Sequence, residues 1–273
     1  MYLDTISFTV MIFTSTGQGE ILTQIGWPAA EVIGAGGNAP VVLVCEHASA
    51  FIPPDLDDLG VSPEARLSHA AWDIGACNLS LRLSARMGAP LVAGALSRLV
   101  YDCNRPPGAA DAIPATSEVY EVPGNMGLSA ADKAARAADI HDPFHATLAR
   151  VVGAQVAAAG GPVTLITLHS FTPVYNGQRR TLDIGYLHHY NSRLAQAALA
   201  LETAAGRYTC ALNEPYSITD GVTYTLRKHG EDHGFDALMI EIRNDLIDTA
   251  PGAQGMADHL HGILSGAIGG LAT

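Results

Sequence analysis

Three apolar runs in this sequence end on side chains that bind metal ions or move protons. Val41-Val42-Leu43-Val44-Cys45-Glu46-His47 and Val163-Thr164-Leu165-Ile166-Thr167-Leu168-His169 each run into a histidine, and Ala237-Leu238-Met239-Ile240-Glu241-Ile242-Arg243 runs into a glutamate and an arginine. Runs of this length and composition read as buried strands. Two imidazoles and a carboxylate at strand ends point to a metal-assisted hydrolase, because catalytic zinc takes three such ligands and leaves a position for water. Asp73, in His69-Ala70-Ala71-Trp72-Asp73-Ile74-Gly75, completes a His47, Asp73, His169 set. Glu46 competes for the middle place if its strand stops early, since adjacent residues of a continuing strand face opposite ways. Glu241 suits the role of general base and proton shuttle. The bland alternative for it is an ion pair with Arg243, two positions along the same strand face.

The elements that must position these groups alternate. Strand 41–45 is followed by a Pro/Asp loop and a helical pattern through Leu67, Trp72, Leu79 and Leu83 that ends near Gly88. A short strand follows at 90–93, then an aperiodic Pro/Gly/acid-rich segment over 106–123 that reads as a loop above the site. Helix is expected over 130–158, with a break or fresh start at Pro143. Strands at 163–168, 182–187, 207–212 and 237–242 alternate with helices at 191–203, 219–229 and 252–268. This pattern predicts a three-layer α/β/α sandwich around a mixed, mostly parallel sheet, with ligands bound at the carboxyl ends of the strands. Residues 1–38 are expected to be an amino-terminal extension, with Met1 or Met11 as the start, and 39–273 a single catalytic domain. The Gly34-Ala35-Gly36-Gly37 stretch precedes a strand rather than following one, which argues against a phosphate loop.

With 27 acids against 15 bases the net charge is −12, which repels a phosphate backbone and excludes nucleic acid as a partner. Small anions remain possible ligands, since a focused arginine pair outweighs a distant total. Cys45, Cys77, Cys103 and Cys210 form no Cys-x-x-Cys pair and read as buried thiols in a reducing compartment. No basic residue precedes Arg66, and no apolar run reaches the ~20 residues needed to cross a bilayer. Cytoplasmic residence is the expectation.

Five blocks carry a resemblance. Cys45-Glu46-His47-Ala48-Ser49, His69-x-x-Trp72-Asp73-Ile74-Gly75, Ser97 to Arg105, Leu168-His169-Ser170-Phe171-Thr172-Pro173 and Glu241 to Leu246 together resemble the N-formylglutamate amidohydrolase family, in order, over about residues 40 to 265. The resemblance implies a fold similar to zinc-dependent exopeptidases and hydrolysis of N-formyl-L-glutamate to formate and glutamate. It makes His47 and His169 metal ligands and Glu241 the base, with Asp73 preferred over Glu46 as the middle ligand. Zinc is expected, and Mn, Co or Fe also suit the set. Arg98, Arg105, Arg180 and Arg243 are the candidate clamps for the carboxylates of a small anionic N-acyl amino acid. Arg98 and Arg105 would alternatively pair with Asp102 or Asp111. Asn104 and Ser170 would contact substrate or order their loops.

The spaced pairs His141/His145 and His229/His233 lack the glutamate of the zinc-protease motif and read as structural, and His259 and His261 as solvent-facing. Rival readings are an amidase for another N-acyl amino acid or short peptide, an exported cell-wall amidase, and an inactive binding protein of the same fold.

Overall fold

The computed structural model describes residues 26–271. In chain order the elements are β1 (Ala30–Ile33), β2 (Val41–Cys45), α1 (Pro63–Leu67), α2 (Ala76–Met87), β3 (Leu91–Gly94) and a hairpin of β4 (Thr116–Ser117) and β5 (Tyr120–Glu121). Then come α3 (Ala130–Arg136), α4 (Asp142–Ala159), β6 (Thr164–Phe171), a second hairpin of β7 (Val174–Tyr175) and β8 (Gln178–Arg179), and β9 (Ile184–Leu187). α5 (Arg193–Ala205), β10 (Cys210–Leu212), α6 (Tyr224–His229), β11 (Ala237–Arg243) and α7 (Ala250–Leu271) follow.

Seven strands make one sheet in the order β1-β3-β2-β6-β11-β9-β10. β3, β2, β6 and β11 run parallel, β9 and β10 run against them, and β1 is an antiparallel edge. Every residue of β2 and β6 is buried, as strands covered on both faces must be. Alternate side chains feed two cores. Val42, Val44, Leu165 and Met239 pack with Phe144 and Leu148 of α4 and Leu226 of α6. Leu43, Ile166, Leu168 and Ile240 pack with Leu79 and Leu83 of α2, Ala195 of α5 and Leu260 and Leu264 of α7. The architecture is the three-layer α/β/α sandwich with a mixed, mostly parallel sheet that the sequence predicts.

Several local expectations need adjustment. Ala30–Ile33, read by sequence as part of an extension, pairs antiparallel with Leu91–Gly94 as the edge of the sheet; the extension's first 25 positions lie outside the described residues. Helix continues past Pro143, because a wide turn at Ala137–His141 precedes it. The wider turn takes up the missing N–H and the ring's clash with the carbonyl four residues back. The helix expected over 219–229 shortens to Tyr224–His229, since Gly221 leaves the preceding turn at φ 71°. His259 faces inward: its Nε2 lies 2.8 Å from Glu202 Oε2, which also accepts from Tyr186 Oη at 2.9 Å.

Between α4 and α6 a pair of buried histidines has its tautomers fixed by its partners. His145 Nε2 is 2.9 Å from the Cys103 carbonyl, which can only accept, so Nε2 carries the proton. Nδ1 of the same uncharged ring then accepts from His229 Nε2 at 2.8 Å. Burial, reinforced by neighbouring His141 and His229, pushes His145 down to about 2, and burial with Lys228 pushes His229 down to about 4. In the unfolded chain both rings titrate near ~6.5. The unfolded state therefore takes up protons below that pH while the folded state resists, so this contribution to stability is full above ~6.5 and lost as pH falls. Denaturant titrations of chelator-treated protein across about pH 7 to 5 should show stability falling by up to about 1.4 kcal/mol per pH unit for each ring. His229→Gln, which keeps a donor for His145, should lose its share of that slope; an unchanged slope would contradict the buried neutral pair.

Candidate active site

The sheet's pleat and register assemble the site. His169 of β6 and Glu241 of β11 are direct partners across a parallel pair, so their side chains emerge side by side. Both continue the alternation that sends Leu165 and Met239 toward the α4/α6 core. Glu46 continues the Val42, Val44 face of β2 and arrives behind His169, its Oε2 3.1 Å from His169 Nε2 but off the line of a hydrogen bond. The chain then turns, and the His47 carbonyl accepts the Asp73 backbone N–H at 3.0 Å. Gly75, at φ 81°, lets the loop carrying Asp73 press against the Ile247 carbonyl where a Cβ would overlap. Gly185, the register partner of Glu241 on β9, has the Glu214 carbonyl where its own Cβ would stand.

Asp73 sits at the centre. Its Oδ2 is 2.9 Å from His169 Nδ1 and 3.4 Å from His47 Nδ1, and it accepts the Ser170 N–H at 3.3 Å. Its Oδ1 is 3.2 Å from Arg98 Nη1. One ligand atom from each of His47, Asp73 and His169 lies within 4.8 Å of the others, and all three residues are buried. The outward nitrogens of both rings meet carboxylates: His47 Nε2 is 2.8 Å from Asp102 Oδ1, and His169 Nε2 faces Glu46. Carboxylates behind imidazoles in this way fix ring orientation and raise basicity in metal centres. The structure thus brings Asp73, not Glu46, into the central trio.

The buried acids and imidazoles of the site offset one another. Burial works against charge on Asp73, yet Arg98 and His47 hold its carboxyl well below the usual range. Burial likewise opposes charge on His47 and His169, but Asp102 and Asp73 raise the first and Glu46 and Asp73 raise the second well above the usual value. Asp102 and Glu46 are held low against burial, chiefly by His47 and His169 respectively. Glu241 differs: burial, with Asp73 nearby, pushes it up to about 7 against the pull of His169. Its Oε2 is buried without a hydrogen-bond partner among the described residues. Nitrogen and carboxylate donors converging beside an unpaired buried oxygen fit a divalent ion.

A cleft of about 670 Å³ opens over the trio, lined among others by Arg98, Arg105, Arg180, Ser170, Tyr216 and Glu241. Thr116, Ser117 and Glu118 of the β4–β5 hairpin line its wall, so the 106–123 segment does border the site. The expected clamps separate. Arg98 binds Asp73, the Ala70 carbonyl at 3.2 Å and the His69 carbonyl; Arg105 Nε binds Asp111 at 2.6 Å. Arg180 has no carboxylate partner among the described residues and lies against the rings of Phe171, Tyr175 and Tyr216. Arg243 does not line the cleft: it pairs with Asp183 at 2.8 Å and Asp245 at 2.7 Å, because the neighbouring antiparallel strand brings Asp183 to the strand end. The ion pair considered between Glu241 and Arg243 does not form. Asn104 uses both ends of its amide on the Val222 carbonyl and the Thr225 N–H, so it clamps that segment. Ser170 caps the Asp73 loop through Oγ and the Ile74 carbonyl at 2.8 Å, while also lining the cleft. No spacing or periodicity marks the backing roles of Asp102 and Glu46 or the place of Tyr216 in the cleft wall; His69 is visible only as the start of the motif that carries Asp73.

Imidazoles and carboxylates converging beside a protonatable glutamate, at the carboxyl ends of a mixed α/β/α sheet, define a hydrolase of the α/β class. The family model for N-formylglutamate amidohydrolase matches residues 39–248, and the chain belongs to that family of amide-bond hydrolases. Gene product Atu2144 from Agrobacterium tumefaciens is similar in structure, with 44% identity and a TM-score of 0.87 over 90% of this chain and 96% of that one. N-formylglutamate amidohydrolase from Ralstonia eutropha JMP134 shares the fold at 20% identity and a TM-score of 0.63, over 88% of this chain and 97% of that one. No curated protein matches.

Since Arg243 ties strand ends together outside the cleft, Arg243→Ala should lower unfolding free energy by about 1–3 kcal/mol in denaturant titrations. Its KM should match wild type; a raised KM would return Arg243 to the site.

Proposed function

We propose that this chain hydrolyses N-formyl-L-glutamate to formate and L-glutamate, with one divalent ion held by His47, Asp73 and His169. The observation that carries the reading is the convergence of Nδ1, Oδ2 and Nδ1 in a buried trio, with Glu241 paired in register beside His169. Family membership supports the amide substrate and the N-formylglutamate-like class. Zinc suits the donor set best, and Mn, Co or Fe also fit. The ion would supply Lewis-acid activation of water and of the scissile carbonyl.

The chain's own groups do the rest. Glu241, raised to about 7 by burial, is poised to accept the proton of the attacking water and to deliver it to the amide nitrogen as the C–N bond breaks. Asp102 and Glu46 hold the two imidazoles in orientation. Arg180 clamps a substrate carboxylate, being the cleft guanidinium whose planar fork no carboxylate of the described residues occupies. Its guanidinium is steadied by the rings it lies against, Tyr175 at 4.6 Å among them.

The decisive experiment is amine release from a panel of N-formyl and N-acetyl amino acids by metal-loaded and chelator-treated protein. Metal-dependent release favouring N-formylglutamate is expected; metal-loaded protein that hydrolyses no member would exclude the reading. His47→Ala and His169→Ala should lose both bound metal and turnover. Glu241→Gln should retain metal and lose turnover by about 100-fold or more; near-normal turnover would remove Glu241 as base. Arg180→Ala should raise KM for N-formylglutamate by about 10-fold or more with little change in kcat. An unchanged KM would remove the clamp.

A further inference from the structure

We infer that His69 is a positioning residue for Asp73, donating Nδ1–H to Oδ1 of that carboxylate so that Oδ2 alone is presented between the two histidines. The inference rests on the metal-dependent reading above and extends it to a residue that reading leaves idle.

His69 is 6% exposed and lines the cleft. Its Nδ1 is buried with no hydrogen-bond partner and lies 3.7 Å from Asp73 Oδ1, the buried oxygen that Arg98 Nη1 also approaches. A hydrogen bond between such atoms spans about 2.9 Å, so a closure of under ~1 Å satisfies the ring nitrogen. Buried polar groups left unpaired in a native structure call for an explanation of this kind. Arg98 holds the two partners in place from one guanidinium: Nη2 grips the His69 carbonyl while Nη1 sits 3.2 Å from Asp73 Oδ1. The opposite oxygen, Oδ2, is the one facing both Nδ1 atoms and the Ser170 N–H. One oxygen is thus steadied and the other is presented. Asp102 and Glu46 already stand behind the two imidazoles; His69 supplies the corresponding support for the acid of the trio.

The test is metal affinity, measured by competition with a chromophoric zinc chelator, in wild type, His69→Ala and His69→Asn. Asparagine carries an amide N–H near the position of Nδ1, so it can replace the bond without the ring. His69→Ala should weaken zinc binding by about 10- to 100-fold, and His69→Asn should recover most of that loss. At saturating zinc, kcat of His69→Ala should fall by a smaller factor than its affinity. Unchanged affinity in His69→Ala overturns the role, and so does an equal loss in both variants, which would reflect lost packing rather than a lost bond. Wild-type protein that binds no zinc, manganese, cobalt or iron would instead bring down the proposed function and this role with it.

Discussion

The parallel pairing of β6 with β11 is the constraint on which the site depends. It places Glu241 beside His169 with no loop between them, so the proposed base and one member of the trio share a rigid frame. A slip of one residue would send one of the two through the sheet to the opposite core. Both flanking strands are buried on each face, which makes such a slip costly in apolar contacts. The loop-borne residues, His47, Asp73 and Asp102, are then fitted to that frame through the backbone bond between Asp73 and His47 and through the Ser170 cap.

Electrostatics make this frame expensive to hold. Glu46, Asp73, Asp102 and Glu241 are all nearly inaccessible to water within one pocket, where unpaired charge is strongly disfavoured. Arg98 and the two imidazoles offset part of the excess, and Glu241 meets the remainder by retaining its proton more readily than an exposed acid would. Within that balance His47, Asp73 and His169 converge closely enough that they could hold a small cation. The same crowding gives two acids of one pocket opposite tendencies, Asp73 held ionised and Glu241 raised to about 7.

How much of this was legible in the sequence follows from what each signal encodes. β-branched runs ending on His47, His169 and Glu241 marked strands and their tips, since periodicity and burial are local properties. The fold class followed from the alternation of those runs with helices. Asp73 is the acid the sequence favours beside the two histidines, with Glu46 as a competitor, because the choice turns on whether the strand face continues through Glu46, a question of backbone course. The turn of Arg243 away from the cleft is hidden for a related reason: its partner Asp183 is distant in sequence and adjacent only through antiparallel pairing with β9. Asn104, likewise, spends its amide on residues 222 and 225, which no spacing rule connects to it. The Arg105–Asp111 pair, six residues apart, was visible as an alternative. The β4–β5 hairpin was not, because two-residue strands carry no period.

Gly185 draws one further consequence from the register. With no side chain on the strand position next to Glu241, the peptide at Glu214 settles directly onto the sheet there, and Pro215 and Tyr216 follow it into the cleft wall. That stretch of the wall is therefore seated by backbone, in a notch one methyl group deep. An alanine in that notch would push the Glu214 carbonyl away and shift the wall without touching any group that reacts.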